Sequence, residues 1–193
     1  MFRRSLFLLL LVLALGCDRG AESDLPISGT IGEFSLRDQS GKAFGNADLR
    51  GKVWVAAFMF TRCPTVCPRM MGVMKKLQAQ AKAKSLPLHL VSFSVDPEND
   101  SPEVLQAFAK KYEVDQATWS FLTGDYEAVK RTSVEGFKMA LEGKADPDAE
   151  DFGILHGSHL VLVDKQLRIR GFYSTKTDAE LEKLLQDAEG LTR

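Results

Sequence analysis

Two cysteines with three residues between them carry the clearest chemistry in this chain. Cys63 and Cys67 enclose Pro64-Thr65-Val66. A disulfide that closes so small a loop removes little entropy from the unfolded chain, which argues against a purely structural bridge. The spacing permits a redox-active disulfide between Cys63 and Cys67. It also allows both thiolates to bind one metal ion without bonding to each other.

A metal held by two sulfurs needs a further donor, and the chain has three histidines. His156, in a loop before a predicted strand, is the candidate third ligand. His89 alternates with Val91 and Phe93, which is typical of an ordinary strand residue. His159 is interpreted as a group behind the ligands or a surface side chain. Two thiolates and one imidazole suit copper, with zinc as the competitor, although a closed structural zinc site would need a fourth ligand.

The two cysteines lie between a predicted strand and a predicted helix. Residues 53–60 are apolar without polar alternation, as expected for a strand buried on both faces of a sheet. After Cys67, apolar residues recur at helical spacing to about residue 85, and Pro68 suits the first turn. Both sulfurs would then lie near the positive end of a helix dipole, which favours thiolates. Three methionines on this helix are predicted to pack in the core rather than to bind metal: Met70, Met71 and Met74.

Further strands and helices alternate along the chain. Residues 88–95 predict a second strand, parallel to the first. Ser101-Pro102-Glu103 begins a helix. Residues 119–122 predict a short strand or an extended connection, and a helix is expected from Gly124-Asp125 to about Val134. The predicted buried face of the helix after Ser101 comprises Val104, Leu105, Phe108 and Tyr112.

The two ends of the domain complete the predicted fold. Residues 34–38 and 43–44 predict an N-terminal hairpin, and residues 159–164 and 167–173 predict another. Residues 138–151 are expected to form an exposed excursion. Thr177 to Glu180 has capping-box spacing before a helix that is predicted to stop at Gly190. This order of elements predicts an α/β thioredoxin-like domain with an N-terminal β-hairpin extension.

The first 16 residues have the pattern of a secretory signal. Arg3 and Arg4 precede an apolar run from Leu6 to Leu15 that is too short to span a bilayer comfortably. Ala14-Leu15-Gly16-Cys17 resembles a bacterial lipobox and predicts lipidation of Cys17; the alternative is an uncleaved anchor. Asp18 resembles the signal that keeps lipoproteins on the inner membrane. Residues 17–28 are polar and predict a tether to a domain at residues 29–193.

Charge argues against nucleic acid as a partner. The chain has a net charge of -1, and without Arg3 and Arg4 it has 23 basic against 26 acidic side chains. No basic run or basic-aromatic stripe appears. The 177 residues after the predicted signal suffice for one domain with a core. If Cys17 carries lipid, Cys63 and Cys67 are the remaining cysteines of an exported protein.

Three segments resemble the SCO/SenC family of copper-binding assembly proteins. They are Phe58-x-Phe60-Thr61-x-Cys63-Pro64-x-x-Cys67-Pro68, Ser94-Val95-Asp96-Pro97-x-x-Asp100-Ser101-Pro102 and His156-Gly157-Ser158-x-x-Val161-Leu162-Val163-Asp164. The resemblance covers about residues 34 to 173. It implies a thioredoxin-like, membrane-tethered protein of the periplasm that delivers copper to the CuA site in subunit II of cytochrome c oxidase, or reduces its thiols. It also implies Cys63, Cys67 and His156 as the copper ligands.

Two positions depart from the family pattern. Thr65 stands where many members have an acidic residue between the cysteines. Leu167 stands where relatives often have glycine, which predicts an altered local turn that leaves the ligands untouched.

Three functions remain open at this point. A copper chaperone would pass the ion to a partner's thiols by ligand exchange, without catalysis in the strict sense. In a thiol-disulfide reductase, Cys63 or Cys67 attacks a partner disulfide and the other cysteine resolves the mixed disulfide, so His156 is dispensable. A peroxidase-like function would use Thr61 beside Cys63, and it is the weakest because peroxide reduction needs neither Cys67 so close nor His156.

Overall fold

The computed structural model describes residues 24–143 and 154–193 of the 193-residue chain. The strands in this part of the chain are β1 (Gly29–Thr30), β2 (Ser35–Asp38), β3 (Ala43–Gly45), β4 (Val53–Met59), β5 (Leu88–Ser94), β6 (Trp119–Thr123), β7 (Leu141–Glu142), β8 (Leu155–His156), β9 (Leu160–Val163) and β10 (Arg168–Tyr173). The helices are α1 (Asn46–Leu49), α2 (Val66–Ala83), α3 (Pro102–Lys111), α4 (Tyr126–Arg131) and α5 (Asp178–Thr192), and a π-helical turn spans Thr132–Gly136.

Eight strands form one sheet in the order β1-β10-β9-β4-β5-β6-β2-β3. Strands β4, β5 and β6 run parallel, and β9 is antiparallel to both β4 and β10. Helices α2 and α5 contact each other, and α3 contacts β6. This is the thioredoxin-like α/β arrangement that the sequence predicts. The predicted N-terminal hairpin is β2–β3, and it lengthens the main sheet because β2 pairs with β6.

The centre of the sheet brings two loops to one edge. All seven residues of β4 are buried, as the unbroken apolar run predicts. Strand β5 pairs with β4 in parallel, from Val53 opposite Leu88 to Met59 opposite Ser94. Because parallel strands end at the same edge, the cysteine loop after β4 lies beside the loop after β5.

Three sequence expectations are wrong in detail. Val104 is 39% exposed because the buried stripe of α3 runs through Leu105, Phe108 and Ala109 instead. Helix α5 continues past Gly190 to Thr192, because the buried Leu191 extends its apolar stripe and packing outweighs the roughly 1 kcal/mol cost of glycine. Thr177 is the N-cap of α5 as predicted, since its hydroxyl oxygen accepts from the Glu180 N–H at 3.4 Å, but the Glu180 carboxylate accepts from the Ser174 N–H rather than from the Thr177 N–H, so the box is only half formed.

The expected exposed excursion is also partly wrong. Met139 and Leu141 are buried, because Leu141 in β7 pairs with His156 in β8 and ties this segment to the domain. The rest of the excursion, residues 144–153, lies outside the described residues. Residues 119–122, predicted as either a short strand or an extended connection, belong to strand β6, which is buried throughout.

The N-terminal segment contacts the sheet before β1 begins. The buried Arg170 side chain donates to the carbonyls of Leu25 and Pro26, at 2.5 and 3.3 Å, and the Ser28 N–H donates to Ile169. The chain therefore lies against the domain from Leu25 onward. The predicted signal at residues 1–16 and Cys17 lie outside the described residues. Within the described residues, no helix has the length and apolar content needed to cross a membrane.

Candidate metal centre

The cysteine loop connects the end of β4 to the start of α2. The Cys63 N–H donates to the Phe60 carbonyl at 3.3 Å, which closes a tight turn after the strand. Thr65 is the N-cap of α2, so Cys63 precedes the helix and Cys67 is its second residue. Pro68 lies in the first turn as predicted, where its missing N–H leaves no helical hydrogen bond unmade.

The two thiols differ in burial and in acidity. Cys63 is half-buried and Cys67 is buried, and neither forms a disulfide in this structure. Burial works to raise the pKa of Cys63, but hydrogen bonds from the backbone of residues 65–67 outweigh it, so the pKa lies below its ordinary value. One of these donors is the Cys67 N–H, 3.4 Å from the Cys63 sulfur. Burial raises the pKa of Cys67, which keeps its proton at neutral pH.

The His156 side chain presents one free nitrogen. Its Nδ1 lies 3.0 Å from the Gly157 carbonyl oxygen. A carbonyl can only accept a hydrogen bond, so the proton is on Nδ1 and the lone pair is on Nε2. Burial lowers the pKa of His156, which favours this neutral form. The ring meets that of Phe60 edge to face, with the centroids 5.9 Å apart.

One pocket of about 250 Å³ brings Cys63 and His156 together. Its remaining wall is mainly apolar and comprises Phe60, Pro64, Thr65, Val66, Ile154 and Ser158. Cys67 is not among the lining residues. Within residues 24–143 and 154–193, no three His, Cys, Asp or Glu side chains are already grouped as a metal site. Ligation by Cys63, Cys67 and His156 together therefore stays a prediction, whereas the donor types themselves fit a soft cation such as copper.

None of the other sequence candidates is among the residues that line this pocket. His89 pairs with Trp54 near the start of β4, at the opposite end from the cysteines, and its Nε2 lies 3.1 Å from Ser120 Oγ. His159 is exposed. The three methionines of α2 are buried in the hydrophobic core, as predicted: Met70, Met71 and Met74.

The structure shows the surroundings of Thr65 and Leu167, the two residues that depart from the family pattern. Thr65 is exposed, and its side chain makes no capping hydrogen bond to α2. Leu167 has a φ of 64°, in the left-handed region that glycine adopts without strain. The turn therefore has a conformation that suits glycine, and the leucine side chain is buried.

Sequence reasoning missed the side chains that hold the cysteine loop. Thr61 and Arg62 bind the carboxylates of Asp100 and Asp96, which follow β5. From the sequence, Asp96 and Asp100 had no assigned role beyond their place in a family motif. The available signal was that both loops follow neighbouring parallel strands and so must meet at one sheet edge.

Comparisons with known proteins give one consistent result. A family model described as SCO1/SenC matches residues 24–192. A protein of Stutzerimonas stutzeri named "Putative copper-binding protein" is 32% identical over 179 residues, covering 84% of this chain and 84% of its own length. Among solved structures, a SCO1/SenC family lipoprotein from Bacillus anthracis is 38% identical, with a TM-score of 0.79 over 87% of this chain and 98% of its own. The solved structure of BsSco is described as showing a disulfide switch in a member of the Sco family of cytochrome c oxidase assembly proteins. It is 32% identical to this chain, with a TM-score of 0.73, and the match covers 86% of this chain and 96% of BsSco.

Proposed function

Because this chain belongs to the SCO1/SenC family, we propose that it is a copper chaperone in the assembly of cytochrome c oxidase. The observation that carries the proposal is the pocket at the end of β4, where an accessible thiol of lowered pKa faces the same space as a neutral imidazole. The name of the Stutzerimonas relative supports copper, and the description of BsSco supports the oxidase. The proposed acceptor is the CuA site of subunit II.

Each proposed ligand has a distinct task toward the copper cargo. Cys63 is accessible and acidic, so it is the first sulfur to meet the ion. Cys67 must lose its proton before it can bind, because only the thiolate is a metal ligand. His156 offers Nε2 without releasing a proton. Transfer would then exchange these donors one at a time for thiolates of the partner.

Copper titration tests this proposal directly. The purified protein is titrated with Cu(I) against a chromophoric chelator, and His156→Ala is compared with the matched variant His159→Ala. We expect His156→Ala to lose copper affinity by at least about tenfold, the lower limit of what losing even a group behind a metal ligand costs. His159→Ala should bind like the wild type, because His159 is exposed. Unchanged affinity and spectrum in His156→Ala would refute the chaperone proposal.

The difference between the thiols supports a second candidate function, reduction of a partner disulfide. The Cys63 thiolate would attack one partner sulfur, and the Cys67 thiolate would then displace that sulfur from the mixed disulfide. The products are a Cys63–Cys67 disulfide and two partner thiols, so two electrons pass to the partner. The test is reduction of a disulfide peptide by His156→Ala. Full activity, together with unchanged copper binding, would favour this function over the first.

We further propose that the protein is held at the periplasmic face of the inner membrane by lipid on Cys17. The lipoprotein description of the Bacillus anthracis relative supports this placement, as does the lipobox-like Ala14-Leu15-Gly16-Cys17. Residues 18–24 would then link the membrane to the point where Leu25 meets the sheet. Mass spectrometry of the mature amino terminus is the test, and an unmodified Cys17 would refute the anchor.

A further inference from the structure

A buried carboxylate holds the first residue of the cysteine loop. Asp100 is fully buried, and its Oδ1 accepts the Thr61 hydroxyl at 2.5 Å. Its Oδ2 accepts the Thr61 N–H at 3.1 Å and the Ser94 hydroxyl at 2.6 Å. Two of its three donors therefore come from Thr61, which is 39 residues away in sequence.

A second carboxylate holds the next residue of the same loop. Asp96 is buried, and its Oδ2 accepts from Arg62 Nη2 at 2.9 Å and from Arg62 Nε at 3.3 Å. The Asn99 side-chain amide donates to the other oxygen of Asp96 at 2.9 Å. Both residues immediately before Cys63 are thus docked onto the loop that follows β5.

Burial of the Asp100 carboxylate costs free energy that a turn alone does not require. A carboxylate excluded from water costs free energy unless hydrogen bonds compensate it, and hydrogen bonds to an ionised oxygen are the strong ones. The result is a rigid point at Thr61. Phe60 precedes Thr61 directly, accepts the Cys63 N–H and places its ring against His156. A fixed Thr61 therefore fixes the residue that touches both pocket ligands.

We propose that Asp100 is a positioning residue of the metal centre, which acts through Thr61 and Phe60 to set the placement of Cys63 relative to His156. It touches neither the cargo nor a reacting atom. The role in copper binding rests on the proposed function. The role in placing the Cys63 thiol does not, because the Cys63 N–H donates to the Phe60 carbonyl and Phe60 adjoins Thr61, which Asp100 holds.

Two conservative substitutions at Thr61 separate positioning from general stability. Thr61→Val removes the hydroxyl that binds Asp100 and keeps the side-chain shape, whereas Thr61→Ser keeps the hydroxyl. The matched control is Thr118→Val, which removes a threonine hydroxyl that accepts from Gln78 at 2.9 Å. Thr118 comes just before β6, at the sheet end opposite the cysteines. Asp100→Asn tests the carboxylate itself.

Two measurements are made on each purified variant: peptide-resolved iodoacetamide alkylation of Cys63 as a function of pH, and Cu(I) affinity. We expect Thr61→Val and Asp100→Asn to raise the apparent pKa of Cys63 and to weaken copper binding roughly tenfold, as changes behind metal ligands do. Thr61→Ser should keep the Cys63 pH profile and the copper affinity of the wild type. Thr118→Val should lower the melting temperature and leave both properties unchanged.

The outcomes separate this proposal from the proposed function. If Asp100→Asn does not fold, Thr61→Val carries the test. A Cys63 profile and copper affinity equal to wild type in folded Thr61→Val would overturn the positioning role. Equal shifts in Thr118→Val would also overturn it, because a general loss of stability would then explain them. If the wild type binds no copper, the chaperone proposal fails, and the Cys63 profile alone still decides the role of Asp100.

Discussion

His89 makes the stability of this protein sensitive to mild acid. Burial lowers its pKa from 6.5 to about 4, and the positive charge of Lys52 is the second cause. In the unfolded chain the imidazole takes up a proton as the pH falls through 6.5, whereas in the folded protein it does so only near pH 4. The stability that His89 contributes is therefore complete above about pH 6.5 and is lost as the pH falls toward 4.

The size of this loss follows from the two pKa values. At pH 5 most unfolded chains have a protonated His89 and few folded molecules do, so the folded state loses about 2 kcal/mol relative to pH 7. His89→Gln removes the titration and keeps an amide that can hydrogen-bond the Ser120 hydroxyl. The measurement is urea unfolding of both proteins at pH 7 and pH 5, with tryptophan fluorescence as the signal that reports unfolding.

The difference between the two proteins isolates His89. Carboxylates and His156 titrate in both proteins, so their contributions cancel. We expect the wild type to lose about 2 kcal/mol more of its free energy of unfolding between pH 7 and pH 5 than His89→Gln does. The same loss in both proteins would show that folding leaves the pKa of His89 unchanged and would refute the reasoning.

Two further predictions concern the metal centre. At pH 8 iodoacetamide should alkylate Cys63 at least about tenfold faster than Cys67, because Cys63 is more exposed and its pKa is lowered; equal rates, measured by peptide mass spectrometry, would contradict the difference between the thiols. In Gly157→Ala, the new Cβ would overlap the terminal methyl of Met139, which can move because it is the flexible end of the side chain, so we expect a loss of about 1 kcal/mol in urea unfolding, the low end of the usual cost of overpacking. Adding Met139→Ala should cost less than the sum of the two single losses, and strict additivity would show that the two side chains do not meet.

The cysteine loop shows how far local pattern carries a prediction. An unbroken apolar run predicted β4, the spacing after Cys67 predicted α2, and Pro68 suited its first turn. These features depend on neighbours within a few residues, so the sequence alone was sufficient. Errors arose where packing decided the outcome: Gly190 has a low helix propensity, yet the burial of Leu191 keeps α5 helical.

The sequence by itself determined the two thiols, the candidate imidazole, the α/β order of elements and the family motifs. Only the tertiary structure decided that Cys63 is the accessible thiol and Cys67 the buried one, and that Thr61 rests on Asp100. Acidity and burial depend on atoms that are distant in sequence and meet only when the parallel strands β4 and β5 end at the same edge. Residue spacing identifies the donors, whereas chain packing sets what each donor can do.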